Sequence, residues 1–265
     1  MRVMSYNMLL GGWDGDDNRR FRLQCEVVAE TQPDILLLQE GKQFDLNGGR
    51  RLYEVEEALG MRAFLASAPR TGQNTAILVR PGIKPVAFET DGHHFHHAAA
   101  IATLRVPGFD QPITFISVHL CPNGPQVRLV EAAYLVNYAA PNRLRLVAGD
   151  FNSVSPLDPE PSDWESLPKH HRARYLSADG KASDRSVLQS LYSAGYVDIA
   201  ARFKRNLEPT VPGAAFQGTE FVSFRSDYFL ASDALAQKAV SYKVLKNDTT
   251  AAASDHYPIV AEFQP

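Results

Sequence analysis

The feature that most constrains the fold of this chain is a succession of short apolar runs with the character of β-strands. Before residue 150 these runs cover residues 3–8, 34–39, 63–66, 75–79, 100–106, 113–120 and 144–148, and more follow near the end. Within residues 114–118 the apolar side chains nearly alternate with polar ones, as they do in a strand with one buried face. Many short strands favour layered sheets.

Segments with helical spacing are fewer than the strands and are inserted between them irregularly. They cover residues 19–31, 50–59, 125–140 and 184–194, and Gly60, Pro141 and Gly195 mark the ends of the last three. This pattern suits two packed sheets with helices outside better than a strict alternation of strand and helix. We therefore expect an α/β fold of four layers, with residues 1–265 forming a single domain.

The net charge of the chain limits the kinds of partner that it can attract. The formal net charge is -3 and the pI is near 6.2, so there is no global basic field that would attract nucleic acid phosphates. Any binding of nucleic acid would have to be local.

The two cysteines, Cys25 and Cys121, are too few for a disulfide-stabilised scaffold, and we expect both to be reduced and buried. No run approaches the roughly 18 apolar residues of a membrane span. Strand-like sequence begins at Arg2 and leaves no room for a signal segment. We expect a soluble, cytoplasmic protein with no membrane span and no obligate protein partner.

Polar residues stand where the strand-like runs leave or enter the core. They are Asn7, Glu40, His119, Asp150 with Asn152, Asp227, and Asp255 with His256. A single Asp or Asn at a strand end is more often a turn residue or a helix cap. The recurrence of such residues along the whole chain is not explained by turns alone.

At these positions the sequence resembles the endonuclease/exonuclease/phosphatase superfamily, the metal-dependent hydrolases that include DNase I, abasic-site endonucleases, sphingomyelinases and inositol-polyphosphate phosphatases. The resemblance is carried, in the family's order, by SYN (5–7), LQE (38–40), SVHL (117–120), GDFN (149–152), SDYFLAS (226–232) and SDHYPI (254–259). It implies a DNase I-like fold, a four-layer α/β/β/α sandwich of two mixed β-sheets flanked by helices, with the site at one edge.

The resemblance also implies a cofactor, Mg²⁺ or Mn²⁺. Hydrolysis of a phosphate ester needs a hard cation, a polarised water and donors directed at developing charge, and Mg²⁺ prefers oxygen ligands. Glu40 is the first metal ligand expected, with Asn7 and Asp255 as its companions. Burying the Glu40 carboxylate after so apolar a run would be costly without partners.

Catalytic roles follow from the same resemblance. Asp150 is expected to orient or deprotonate the attacking water, and Asn152 to donate its amide to the phosphate. Gly149 would let the chain turn, while an acid and an amide two residues apart can point to the same side of an extended segment.

The histidines of these motifs are expected to contact the phosphate. His256, paired with Asp227, would act as a hydrogen-bonded cation, since a neighbouring carboxylate raises the pKa of histidine. His119 is expected to be a second phosphate contact. The alternative is a structural role in the core, with the ring nitrogens hydrogen-bonded within the protein.

Two positions depart from the family pattern. The segment from Gly92 to His97 is rich in histidine where DNase I-like members carry acidic or basic residues, which makes His97 a candidate partner of His119 and substrate contact. A zinc site is disfavoured there, because it requires three or four ligands in the correct geometry. Leu9 stands where abasic-site endonucleases carry an acid, so a two-acid metal arrangement on that loop is not expected.

Residues 155–183 show no sustained period and are expected to form a long loop, which in compact domains is functional or disordered. The stretch KHHRAR (169–174) in this loop, with Lys169 and Arg172 as its candidate substrate contacts, could meet a substrate phosphate or an acidic leaving group, or could be only a solvated charged stretch.

The sequence therefore predicts a Mg²⁺- or Mn²⁺-dependent phosphoesterase that acts by direct attack of water, without a covalent intermediate. The acidic pI favours a small-molecule or single-stranded nucleic acid phosphoester as substrate, with a DNA or RNA endo- or exonuclease as the alternative enzyme. A non-catalytic binding module is less favoured, because Glu40, Asp150, Asn152, Asp255 and His256 are all present.

Overall fold

The structure is a computed structural model that describes residues 1–203, 207–217 and 220–265. Its strands are β1 (Arg2–Asn7), β2 (Ile35–Lys42), β3 (Arg62–Ala66), β4 (Gln73–Val79), β5 (Lys84–Asp91), β6 (Ala99–Arg105), β7 (Ile113–His119), β8 (Arg145–Asp150), β9 (Val197–Asp198), β10 (Asp227–Ala231), β11 (Ala239–Val244) and β12 (Ile259–Phe263). Its α-helices are α1 (Arg19–Thr31), α2 (Arg50–Leu59), α3 (Pro125–Val136), α4 (Lys169–Arg172), α5 (Ser186–Ser193), α6 (Ile199–Phe203), α7 (Asp233–Ala236) and α8 (Asp248–Ala253).

The strands form two six-stranded sheets with the orders β11-β12-β1-β2-β4-β3 and β5-β6-β7-β8-β10-β9. Both sheets are mixed. β1 pairs with β2 and β7 pairs with β8 in parallel, and these parallel pairs hold the two central positions of each sheet. Each parallel pair is joined by a crossover that contains a helix, α1 or α3, as parallel neighbours require. The expected sandwich of two mixed sheets flanked by helices is confirmed.

The core is organised by the two faces of the central strands. Ile35 and Leu37 of β2 lie in the cluster between the sheets, whereas Leu36 and Leu38 lie in the cluster beneath α1. Successive side chains of a strand point to opposite faces, so a strand buried on both sides reads as an uninterrupted apolar run. A third cluster packs the second sheet against α3 and α5.

The helices predicted over residues 19–31 and 50–59 are confirmed at those bounds, and Gly60 ends α2 in the left-handed conformation. α3 ends at Val136, short of the predicted end, and α5 covers Ser186–Ser193. β5 was not expected, because most of its residues are exposed and it lacks an apolar pattern. Among the described residues, no helix has the length and apolarity needed to cross a membrane.

The two cysteines are free, as expected, but only one of them is buried. Cys121 is buried, whereas Cys25 on α1 is half-buried, which corrects the expectation for that residue. Burial raises the pKa of the Cys25 thiol to about 12. The thiol is therefore protonated at neutral pH.

The segment 155–183 is a long connection that has little regular structure apart from the short helix α4. Its side chains Trp164, Leu167 and Tyr175 pack with Val211 and Phe224 in a separate apolar cluster. The segment therefore has a small core of its own beside the sandwich, which fixes its position.

Gly149 lies within β8, which continues to Asp150, so the expectation that the chain turns at this glycine is wrong. Its φ is 143°, and a Cβ at this position would lie 1.9 Å from the carbonyl oxygen of Val118 on β7. The glycine is required because the neighbouring strand approaches its backbone closely.

We expect Gly149→Ala to reduce the free energy of unfolding by about 3 kcal/mol, because the new methyl group must displace the β7 backbone. Gly180→Ala is the matched control, since Gly180 has a φ of 70° and no atom within 4 Å of an added Cβ. That change should cost about 1 kcal/mol, the strain of the left-handed conformation alone. Urea denaturation of both variants measures the difference, and equal losses would contradict the contact.

Candidate functional site

The candidate site lies at one end of the sandwich, where the central strands of both sheets finish. β2 packs against β7 and β1 packs against β8, so the carboxyl ends of the two parallel pairs meet. Antiparallel neighbours begin at the same end. The residues brought together in this way are Asn7, Glu40, His119, Asp150, Asn152, Asp227, Asp255 and His256.

Asp150 is at the centre of this group and is 1% exposed. Its Oδ1 accepts hydrogen bonds from Ser226 Oγ at 2.6 Å and from the Asn152 backbone N–H at 2.8 Å. Its Oδ2 lies 3.3 Å from each of three nitrogens, Asn7 Nδ2, Asn152 Nδ2 and His119 Nε2. Both oxygens of the carboxylate are therefore held by donors from separate parts of the chain.

Asp150 is ionised despite its burial. Burial alone would raise its pKa, but the charges of His256 and His119, with the hydrogen bonds from Ser226 and Asn152, outweigh burial and lower the pKa. The carboxylate is thus available as a proton acceptor at neutral pH.

His256 connects Asp150 to a second buried carboxylate. Its Nδ1 is 2.9 Å from Asp227 Oδ2, and its Nε2 is 3.6 Å from Asp150 Oδ2. Burial opposes a charge on His256, but Asp227 and Asp150 outweigh it and raise the pKa of His256 well above the usual range. Thr210 Oγ1 donates to Asp227 Oδ2 at 2.6 Å and fixes that carboxylate. The imidazolium is held in one orientation.

Glu40 occupies an irregularity in the pairing of β2 with β4 and has a φ of 57°. This local bulge turns the residue out of the regular alternation of the strand. Asn7 Nδ2 and Gln73 Nε2 donate to its carboxylate at 3.2 and 3.3 Å, and the backbone N–H of Leu10 donates at 3.1 Å. Glu40 is therefore directed at the end of the sandwich and lines a cavity there.

Asp255 lines the same cavity. Burial raises its pKa to about 6, and the negative charges of Glu40 and Asp150 add to this effect. Acidic oxygens thus converge here, and the amide side chain of Asn7 lies next to Glu40. Carboxylate and amide oxygens are the donors that Mg²⁺ and Mn²⁺ prefer, so the residues present fit such an ion.

Asp150, Asp227 and His256 also form a compact group of possible ligand atoms, all within 4.8 Å of one another. In this group each ring nitrogen of His256 already faces a carboxylate oxygen. A protonated imidazole is not a metal ligand. We therefore interpret the group as an ion-paired chain.

His97 and His119 lie face to face, with ring centroids 4.4 Å apart and an interplanar angle of 27°. His97 Nδ1 is 2.9 Å from Thr71 Oγ1. Burial and then the charge of His119 lower the pKa of His97 to about 2, so its ring is neutral. The predicted partnership of these two residues is thus a ring stack.

The remaining histidines of the 93–97 segment have other neighbours. His94 Nδ1 lies 2.8 Å from Asp91 Oδ2, and its ring stacks on Tyr134 at 3.8 Å. The backbone N–H of His96 donates to Glu131. Within the described part of the chain, His97 is the histidine of this segment that lines the cavity at the candidate site.

The cavity has a volume of about 620 Å³. Its lining comprises Leu9, Leu10, Glu40, Gln73, His97, His119, Pro122, Asn123, Asp150, Asn152, His170, His171, Arg174, Phe216, Glu220, Phe221, Asp255 and His256. Lys169 and Arg172 are not brought to it. They line a separate depression of about 380 Å³, and Arg172 pairs with Glu165.

Several residues at the site were not singled out from the sequence. Ser226 directly precedes Asp227 in a motif that marked the region, but nothing in the motif indicated a bond to Asp150. Gln73 had no signal, because it begins an ordinary strand. Arg174 belongs to the 169–174 stretch noted in the sequence, but only the packing of the segment decides that it, rather than Arg172, faces the cavity.

Comparison with known proteins places these observations in a family. The sequence profile described as "Endonuclease/Exonuclease/phosphatase family" matches residues 4–256. No curated protein matches the chain.

Solved structures share the fold over nearly the whole chain. A Bacteroides thetaiotaomicron mannosyl-6-phosphatase has 17% identity and a TM-score of 0.70, over 99% of this chain and 98% of that one. An AP endonuclease from Archaeoglobus fulgidus has 20% identity and a TM-score of 0.67, over 100% of both chains. A Neisseria 3′ phosphatase bound to a product DNA hairpin has 19% identity and a TM-score of 0.68, over 100% of both.

The bond from Ser226 to Asp150 should be measurable in the stability of the fold. We expect Ser226→Ala to reduce the free energy of unfolding by roughly 1.5 to 3 kcal/mol, the range for a hydrogen bond to a charged group. Ser193→Ala, at an exposed helix end, should change it by less than about 0.5 kcal/mol. Denaturant titrations of both variants provide the comparison. If Ser226→Ala left the free energy of unfolding unchanged, the bond would contribute nothing to stability.

Proposed function

The chain belongs to the endonuclease/exonuclease/phosphatase family, and we propose that it hydrolyses a phosphate ester with Mg²⁺ or Mn²⁺ by direct attack of water. The observation that carries this proposal is the ionised, buried Asp150 carboxylate beside the charged His256 ring. Both groups line a cavity whose wall also carries the oxygens of Glu40 and Asp255. Residues 1–265 would act as one catalytic domain in the cytoplasm.

In this proposal Glu40, Asp255 and Asn7 hold the divalent cation. When bound, the ion would act as a Lewis acid toward the phosphoryl oxygens and offset the negative charge that develops on them. Asn7 donates its amide hydrogens to Glu40 and Asp150, and its Oδ1 accepts from the backbone N–H of Leu9 at 3.1 Å. The second lone pair of Oδ1 could serve as a ligand or orient a water.

Asp150 has the central role toward the attacking water. Its Oδ2 would accept a proton as the oxygen of that water attacks phosphorus, in line with the leaving oxygen. The hydrogen bonds from Ser226 and Asn152 to Oδ1 keep the carboxylate in place. The proposed step includes no covalent intermediate, because the base would act on water and not on a side-chain nucleophile.

Donors on the opposite side would stabilise the developing charge. The charged ring of His256, oriented by Asp227, would face a phosphoryl oxygen together with His119, and His97 would support His119 by stacking. Asn152 Nδ2 donates to Leu120 O at 2.9 Å and to Asp150 at 3.3 Å, and the hydrogen on the longer contact is the one it could give to phosphate.

The charge of the chain and its fold favour particular classes of substrate. The net charge of -3 favours a small or single-stranded phosphoester over duplex nucleic acid. A DNA or RNA nuclease is the second candidate, which the fold shared with an AP endonuclease favours. A binding module without catalysis is disfavoured, because an ionised carboxylate and a charged histidine would be buried together without a use.

Asp150→Asn should lower kcat for bis(p-nitrophenyl) phosphate at least about a hundredfold, because the variant cannot accept the proton. Fold and metal affinity should be largely retained.

Removal of the divalent ion by a chelator should abolish turnover by the native enzyme, and added Mg²⁺ or Mn²⁺ should restore it.

Asp110→Asn is the matched control, since Asp110 is exposed and does not line the cavity. It should behave as the native enzyme does. If Asp150→Asn retained activity within tenfold, Asp150 would not be the base.

Glu40→Gln should weaken the binding of Mg²⁺ by removing a charged ligand, so that higher Mg²⁺ concentrations partly restore the lost activity. Calorimetric titration with Mg²⁺ measures the affinity directly. Glu57→Gln, a change at an exposed position, serves as control. An affinity equal to that of the native protein would show that Glu40 is not a ligand.

A further inference from the structure

We propose that the outer wall of the cavity is a subsite for an uncharged, hydroxyl-bearing leaving group, so that the substrate is a sugar or related polyol carrying a single phosphate. This inference rests on the proposed function, because it concerns the part of the same substrate that leaves. It comes from lining residues that the proposed reaction does not use.

The outer wall is built from three segments. They contribute Pro122 and Asn123 after β7, His170, His171 and Arg174 from the segment 155–183, and Phe216, Glu220 and Phe221 from the segment before β10. The opposite wall carries the proposed metal ligands and phosphate donors. A phosphate ester bound between the walls would direct its leaving group at these three segments.

Arg174 is the cation of the outer wall, and it is fixed and neutralised. Its Nε donates to Pro122 O at 2.9 Å, and its Nη1 pairs with Glu220. Its own carbonyl accepts a 2.6 Å bond from Arg128, which is 1% exposed and also donates to Ser153. The wall therefore joins the three segments through one ion pair whose two charges cancel.

This charge balance selects against a second anionic group. Among the described residues that line the cavity, Arg174 is the single Lys or Arg, and it is already paired with Glu220. A second phosphate, or the phosphates of an oligonucleotide, would meet the Glu220 carboxylate with no unpaired Lys or Arg among the described lining residues to offset the repulsion.

Hydroxyl groups match this wall well. A hydroxyl can donate to Glu220 and accept from Arg174, and the amide of Asn123 offers both functions nearby.

Phe221 supplies the apolar part of the subsite. Its ring lies 5.6 Å from that of His256, edge to face, and so stands beside the position proposed for the reacting phosphate. Carbon atoms of the leaving group next to the ester oxygen would pack on this ring. A few polar groups around an apolar surface are the usual composition of a small-molecule site.

The test compares kcat/KM with Mg²⁺ for glucose 6-phosphate, fructose 1,6-bisphosphate, the nucleotide adenosine 3′,5′-bisphosphate, a single-stranded hexanucleotide and the generic esters p-nitrophenyl phosphate and bis(p-nitrophenyl) phosphate. We expect the hexose monophosphate to exceed the bisphosphate, the nucleotide and the oligonucleotide by about tenfold or more, since sites built to bind hydroxyls discriminate strongly.

Glu220→Gln should lower the ratio of kcat/KM for glucose 6-phosphate to that for p-nitrophenyl phosphate by about tenfold, because the charged acceptor for hydroxyl groups is lost. Asn123→Ala, which leaves the ion pair intact, should lower the same ratio. Glu165→Gln is the matched control, since Glu165 pairs with Arg172 outside the cavity, and it should leave both values unchanged. Melting temperatures of all three variants show that the fold is retained.

The outcomes separate the two proposals. Metal-dependent turnover of the generic esters with equal or greater kcat/KM for the bisphosphate, the nucleotide or the oligonucleotide would overturn the polyol subsite and leave the proposed function standing. An unchanged ratio in both Glu220→Gln and Asn123→Ala would do the same. Absence of metal-dependent turnover on every ester would overturn both.

Discussion

The buried negative charge of Asp150 is the constraint on which the arrangement of this protein depends. A carboxylate removed from water costs several kcal/mol unless donors and opposite charges replace its hydration. Here the replacement comes from Asn7 on one sheet, His119 on the other, and Ser226 and His256 from segments late in the chain. The charge can be accommodated only when both sheets and their connections are in place.

The topology explains why these residues meet. Parallel strands of one sheet end at the same edge, and each sheet has its parallel pair at the centre, β1 with β2 and β7 with β8. Packing the two pairs against each other brings four carboxyl ends to one place. Antiparallel neighbours begin there, so Asp227 is in register with Asp150 on the adjacent strand. The inner part of the site is thus made of strand ends and is held by the core.

The outer part of the site has a different physical basis. Its residues come from long connections, which are held by the apolar cluster around Trp164 and Tyr175 and by the buried guanidinium of Arg128. A buried ion-paired Arg225, which binds Asp158 and Asp198, ties the start of the same segment to the second sheet. The inner residues are therefore held by the sheets, whereas the outer walls depend on loops, which can differ without a change in the fold.

The sequence by itself determined the elements that depend on local physics. Amphipathic spacing predicted the bounds of α1 and α2, and Gly60 marked the end of α2. The polar residues at strand ends, in their order along the chain, predicted the fold through the family resemblance, and they indicated which residues form the inner part of the candidate site. These signals can be recognised in the sequence because each is contained within a few neighbouring residues.

Only the tertiary structure decided what depends on residues far apart in the chain. Gly149 is required by the carbonyl of Val118, and Ser226 acts on a carboxylate 76 positions earlier. Arg174 faces the cavity while Arg172 does not, because packing of the long segment sets its direction. Such contacts are formed by strand pairing and side-chain packing between distant segments, and no local pattern records which segments will meet.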